Sequence, residues 1–290
     1  MCLRRSHARW QVIYFCRQKF FTDLDPLTPP FDKPDAHNKT ASVRLGQKFE
    51  KWTRQEFRDR YLSQFDHPDF GLLADEIDKL EKIAWGIYEA EEKAPHVQKA
   101  GNGFADPEQE LAVEWLNARK TIHRAQRQFE DASRATQILL ISASPRTDAT
   151  CPSEMAKSYR LAQQAQGVLQ SEGCTVDFLD LSDLSAAYGR RIYPCKACVS
   201  TAMPLCHWPC SCYPNFSKGQ ILDWMNELYP RWVAAHGIMI ITPVHWHQAP
   251  SGLKLMMDRL VCADGGNPDP TATSGKDAHK AKALEISGWH

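Results

Sequence analysis

Neither sign of charge prevails in this chain: 35 Lys and Arg balance 35 Asp and Glu. Without a basic excess there is no electrostatic footprint for nucleic acid or for an anionic membrane surface. No stretch approaches the roughly 20 consecutive apolar residues that span a bilayer. The run Trp10–Phe15 is too short for a secretory core and no small-residue cleavage site follows it. Arg4, Arg5, Arg9, Arg17 and Lys19, with no acid in the first 22 residues, leave a basic organelle leader or an unstructured tail as readings. Without a secretion signal the expected compartment is the reducing cytoplasm, where clustered cysteines are metal ligands or free thiols more often than disulfides. No internal repeat is present. No Gly-Lys-Ser or Gly-Lys-Thr occurs, and no glycine lies between Gln137 and Gln166, so the P-loop and the dinucleotide glycine fingerprint are both excluded there.

Three regions follow from composition. Residues 1–45 read as an irregular arm, with four prolines in "DLDPLTPPFDKPDAHNKT". Residues 46–136 read as a helical extension. "TRQE" at Thr53–Glu56 is a capping box. Leu73, Ile77, Leu80, Ala84 and Ile87 then make one helical stripe. A third helix is expected to be capped by Asp106 with Pro107 at its first position, placing Leu111, Trp115, Ile122, Ala125 and Phe129 on one face. These stripes are read as packing faces.

Residues 137–290 alternate strand and helix. "QILLISAS" is an apolar run suited to a strand buried on both faces. A helix from Met155 to Gln170 follows, then the strand "CTVDFLDL", a cysteine-rich insert and a helix at Gln220–Trp232. The strand "HGIMIITPV" and the helix "LKLMMDRLV" close the series. The pattern is α/β, with right-handed crossovers onto a parallel sheet.

Two loops carry chemistry. After the first strand, Ser142, Ser144, Arg146, Thr147, Thr150 and Ser153 lead into a helix whose expected cap is Cys151, with Pro152 first and Glu154 third. Hydroxyls, an arginine and free N–H groups converging on a helix start make a phosphate site at the carboxyl edge of the sheet. An ordinary capped turn is the competing reading. After the later strand, which Thr242 and Pro243 stop, His245, Trp246 and His247 form a flat, partly aromatic and donor-rich lip suited to the edge of a planar heterocycle. His245 and His247 alone lack the third ligand of a metal set.

"SASPR", "TPVHW" and "SGLKLMMDR", in that order, resemble the NADPH-dependent FMN reductase family of flavodoxin-like proteins over Gln137 to about Asp277. The resemblance implies a doubly wound parallel sheet with FMN at its switch point, a homo-oligomer, and electron flow from NADH or NADPH through flavin to a quinone, flavin or similar acceptor. It implies that Ser142, Ser144, Arg146 and Ser153 hold the phosphate and that Thr242–His247 line the isoalloxazine. No acid or base is named as catalytic, because the cofactor carries the chemistry. Only three strands are legible, and the resemblance places them in the order 2-1-3. The domain is therefore read as missing its C-terminal part, with the Gly237–Val244 edge exposed unless the extension or a partner covers it.

The insert holds Cys195, Cys198, Cys206, Cys210 and Cys212, half of the ten cysteines. Its opening C-x2-C is a chelating half-site, and some relatives bind a [4Fe–4S] cluster at this place with tighter spacing. Thiols without metal, iron–sulfur, zinc and disulfides stay open, in that order. An iron–sulfur electron carrier and a non-catalytic flavodoxin-fold binding protein are the alternative functions.

Overall fold

The computed structural model describes residues 11–16, 51–146, 150, 156–197, 199–200, 203–204 and 206–272. Strand β1 (Gln11–Cys16) comes first, then helices α1 (Arg54–Leu62) and α2 (Ala74–Glu89). A small hairpin of β2 (Val97–Lys99) and β3 (Glu110–Ala112) leads into α3 (Val113–Glu130). The α/β part runs β4 (Gln137–Ser142), α4 (Lys157–Ser171), β5 (Thr175–Asp180) and α5 (Asp183–Ala186). The two-residue strands β6 (Val199–Ser200) and β7 (Met203–Pro204) follow. The series ends with α6 (Met225–Ala234), β8 (Gly237–Thr242), α7 (Ser251–Leu260) and α8 (Cys262–Gly265).

The main sheet has the order β1-β8-β4-β5. β5, β4 and β8 are parallel and realise the expected 2-1-3 order. β1 lies antiparallel on the outer edge of β8, pairing Gln11 with Thr242 through to Cys16 with Gly237. The arm read as irregular thus contains a strand. It covers the edge expected to be exposed, whose unpaired N–H and C=O groups would otherwise template aggregation. Short β-branched and aromatic runs such as Val12–Phe15 favour strands, but the partner lies more than two hundred residues away.

Successive residues of the parallel strands point to opposite faces, and both faces are buried. Leu139, Ile141, Leu179 and Ile240 pack with Ile122 and Ala125 of α3, with Met225, Leu228 and Tyr229 of α6 and with Leu253 and Met256 of α7. Leu140, Met239 and Ile241 face α4 through Ala162, Leu161 and Leu169. The extension therefore contributes a helix to the sheet's own core. Burying each such aliphatic side chain is worth about 1.5–3 kcal/mol.

The capping box is present: the Thr53 side chain accepts from the Glu56 N–H, and the Glu56 carboxylate accepts from the Thr53 N–H at 2.8 Å. Two other expectations fail. The third helix begins at Val113 rather than after Asp106, because Glu110–Ala112 pairs with Val97–Lys99 instead. The stripe on α2 coincides with its packing face only at Ile77. That helix buries Ile77, Glu81 and Tyr88, with Glu81 hydrogen-bonded to Arg54 and Arg58 of α1. Two arginines positioned by α1 pull a carboxylate inward and rotate Leu73, Leu80 and Ile83 outward.

The extension also anchors the distal parts of the chain. The Trp115 indole N–H donates to the Pro209 carbonyl at 2.7 Å in a buried contact. The N–H groups of Ala105 and Asp106 donate to the Asp269 carboxylate and the Thr271 hydroxyl.

Candidate functional site

The carboxyl ends of the three parallel strands are tied together. The Ala143 N–H donates to the Ile241 carbonyl at 2.8 Å, and the Leu181 N–H to the Ser142 carbonyl at 2.9 Å. The loops that follow β4, β5 and β8 therefore leave the sheet side by side.

Ser142 is fully buried at this junction, and its Oγ has no hydrogen-bond partner among the described residues. An unpaired buried hydroxyl costs about 1–3 kcal/mol, so its position marks a place where a polar ligand would be welcome. Ser144, also buried, accepts from the Arg146 N–H at 3.2 Å and turns the loop. Residues 147–149 and 151–155 lie outside the described residues, and with them Thr147, Ser153 and the expected cap at Cys151. The described helix α4 begins at Lys157, with Ala156 as its cap and no side-chain cap bond. Ser158, buried in its first turn, is a hydroxyl that sequence reasoning missed.

On the neighbouring loop the Thr242 hydroxyl, buried, donates to the Pro243 carbonyl at 2.9 Å. His245 and Gln248 exchange both backbone hydrogen bonds at 2.9 Å, closing a two-residue turn. Its central residues, Trp246 and His247, have φ of 48° and 68°. This is the type I′ pattern, which normally selects Asn and Gly. A tryptophan and a histidine there accept a conformation costing roughly 1–2 kcal/mol each. The turn displays Trp246 almost completely, at 95% exposure. The N–H groups of Trp246 and His247 take no part in the hydrogen bonds that close it. Val244, His245 and His247 are exposed as well. The structure thus gathers Ser142, Ser144 and Thr242 as buried hydroxyls at one sheet edge and places the exposed Val244–His247 turn on the adjacent strand.

The family model for NADPH-dependent FMN reductase matches residues 136–283. The chain belongs to the NADPH-dependent FMN reductase family. It is an oxidoreductase of the flavodoxin-like class that works through FMN and a nicotinamide donor. Comparisons with curated proteins and with solved structures gave no match. The residues of this FMN reductase fit the cofactor: an unpartnered buried hydroxyl awaits an acceptor at the β4 end, and an exposed aromatic turn stands beside it.

The third loop of the edge belongs to β5. The Asp180 carboxylate accepts from the Ser182 N–H at 3.0 Å, and Ser182 is buried. Nothing in the sequence pattern singled out this turn; only the strand order brings it beside the β4 loop.

The cysteine-rich insert is held down at several points. The Asn267 N–H donates to the Cys206 carbonyl at 2.7 Å, and the Trp208 N–H to the Asn267 carbonyl at 3.0 Å. Arg259, fully buried, pairs with Asp223 at 2.5 Å, donates to the Tyr193 carbonyl at 2.8 Å and sits over the Tyr213 ring. Cys206 and Cys262 are buried, Cys210 and Cys212 partly so, and Cys195 is exposed; all five are free thiols. Cys262 is a member of this thiol group that spacing did not reveal, because it comes from α8. Its sulfur lies 3.6 Å from the Tyr229 hydroxyl. Burial pushes the Cys262 thiol up to about 12. Burial raises Cys206 too, and a hydrogen bond with Cys212 raises Cys210. Such thiols stay protonated near neutrality and are poor nucleophiles. Among the described residues no group of three or more His, Cys, Asp or Glu is arranged to hold a metal ion. The metal candidates Cys195, Cys206, Cys210 and Cys212 therefore form no ligand set here, and Cys198 lies outside the described residues. The [4Fe–4S] expectation finds no support in this arrangement. No described helix is long and apolar enough to cross a membrane.

Proposed function

We propose that this chain passes electrons from NADPH or NADH through FMN to a small acceptor of the quinone or free-flavin class, in a reducing compartment that suits its free thiols. The observation that carries the reading is the Ser142 hydroxyl, buried without a described partner where three strand ends meet.

In this reading Ser142, Ser144, Arg146 and Ser153 hold the FMN phosphate, and Thr242–His247 border the isoalloxazine. Bound FMN supplies the chemistry, taking hydride from nicotinamide and delivering electrons to the acceptor. The chain's own contributions are position and charge. Pro243 ends the strand and sets the start of the turn. The His245–Gln248 pairing fixes the turn's shape. The N–H groups of Trp246 and His247 remain available as donors toward negative charge. Trp246 offers an apolar face for a flat ring. No side-chain acid or base is assigned a step.

The test is the flavin content of the purified full-length chain, with NADPH and NADH oxidation measured on the same sample. A yellow protein that oxidises either nucleotide is expected. A colourless protein that takes up no added FMN overturns the reading and favours a non-catalytic binding role.

A further inference from the structure

The two most exposed aromatic side chains among the described residues stand at the same edge of the sheet. Trp246 belongs to the loop after β8, and Tyr188, fully exposed, follows α5 on the loop after β5. Helix α5 touches both candidate FMN loops. The Ser185 hydroxyl donates to the Pro145 carbonyl at 3.5 Å. Leu184 packs so closely on Gly252, at the start of α7, that a Cβ there would meet its Cδ1 at 3.0 Å. Just past Ser185 the chain turns tightly around Tyr188. The Arg190 N–H donates to the Ala187 carbonyl at 3.4 Å and the Arg191 N–H to the Gly189 carbonyl at 3.1 Å. Gly189 supplies the positive φ of 77° that this turn needs. A lone exposed aromatic is ordinary; one held on a tight turn beside an uncommitted cation has the chemistry of a ligand site.

That cation is the second of two arginines. Arg190 is committed to the Glu227 carboxylate and lies over the Trp224 ring. Arg191 is exposed, and its backbone is anchored: its carbonyl accepts from the Trp224 N–H at 2.9 Å. Its guanidinium makes no ion pair or hydrogen bond among the described residues. We propose that Tyr188 and Arg191 receive the 2′-phosphoadenosine end of NADPH and so set a preference for it over NADH. An aromatic face stacks on any base. A free guanidinium binds a phosphate bidentately and is suited to the 2′-phosphate. Two Cα atoms three residues apart lie at most about 10 Å apart, a spacing that covers a purine and the phosphate on its own ribose. With β4 between them, β5 lies two strand spacings, about 10 Å, from β8. A dinucleotide bridges that interval, so its nicotinamide reaches the Thr242–His247 side while its adenosine rests on the turn. The inference rests on the proposed nicotinamide-to-FMN reading and adds which nucleotide is used and which residues select it.

Titration calorimetry on the full chain with adenosine 2′,5′-bisphosphate, NADP⁺ and NAD⁺ tests it, since none of these can reduce a flavin. NADP⁺ should bind at least about tenfold tighter than NAD⁺. Arg191→Ala should abolish that ratio, weakening NADP⁺ and the bisphosphate about 10- to 150-fold and leaving NAD⁺ unchanged. Tyr188→Ala should weaken all three roughly 5-fold or more, and Tyr188→Phe should not. Circular dichroism and Tm should be retained, because both side chains are already exposed. A wild-type ratio near one overturns the proposal. So does an Arg191→Ala variant that keeps the ratio, or a Tyr188→Ala variant with unchanged affinities. An equal loss in Lys196→Ala, which removes a neighbouring exposed cation, would reduce the effect to bulk charge attraction and overturn it too. FMN uptake is measured on the same samples. A chain that takes up FMN yet fails these tests overturns this inference and leaves the flavin reading intact; one that passes them without taking up FMN overturns the flavin reading instead.

Discussion

Ser142→Ala separates a ligand-holding hydroxyl from a structural one. In the cofactor-free chain the Ser142 Oγ is buried and has no partner among the described residues. Leaving such a group unsatisfied costs about 1–3 kcal/mol, and an apolar replacement of similar shape is neutral or stabilising. The stripped Ala variant should therefore unfold in urea at the same or a higher midpoint than the parent. If the hydroxyl donates to the FMN phosphate, its loss removes a hydrogen bond to a charged group, worth about 1.5–3 kcal/mol. That corresponds to roughly 10- to 150-fold weaker FMN binding. Quenching of FMN fluorescence on titration into the stripped protein reads the affinity directly. The two effects have opposite signs, which a general folding defect cannot imitate. Unchanged FMN affinity together with a stability loss above about 1 kcal/mol would refute the reasoning.

Other expectations follow from the same structure. Trp246→Gly relieves the positive φ of 48° and should raise stability by about 1 kcal/mol; it should also loosen FMN about 3- to 10-fold through lost ring contact, read by thermal melts and fluorescence. Asp223→Asn strands the buried Arg259 guanidinium and should cost about 3–5 kcal/mol in chemical denaturation; a loss under about 1 kcal/mol would show that the pair is not sealed from water. The Arg54 hydrogen bond holds the Glu81 carboxyl below its ordinary 4.5, against desolvation that pushes it up. Its folded value lies below its unfolded one, so its stabilisation is present above about pH 4.5 and is lost as pH falls through the folded value. Glu81→Gln should flatten that acid limb in a Tm-against-pH series. Deleting residues 1–16 removes the strand from the β8 edge and should increase aggregation on warming, followed by light scattering.

Much of the candidate site was legible as sequence because its elements are local. An apolar run ending in Ser142, and another ending in Thr242, can only be buried strands whose loops emerge at one edge of a parallel sheet. Helix starts with a strong chemical signal were equally readable, as at Thr53. Misreadings arose where a distant partner decided. Asp106 and Pro107 carry good cap chemistry, yet Glu110–Ala112 pairs with β2 and delays the helix. On α2 the stripe through Leu80 looked like a core face, but two arginines of α1 drew Glu81 inward instead.

The chain's own order of residues determined the alternation of strand and helix and the two loops that follow its buried strands, since periodicity and loop chemistry act over a few residues; the 2-1-3 order of the parallel strands was legible only through the family resemblance. Tertiary structure alone decided that Gln11–Cys16 closes the sheet, that α3 shares its core, that Cys262 joins the thiols of the insert and that Trp246 stands exposed on a strained turn. Each of these depends on contacts between segments far apart in the chain, where burial and hydrogen bonding override local preference.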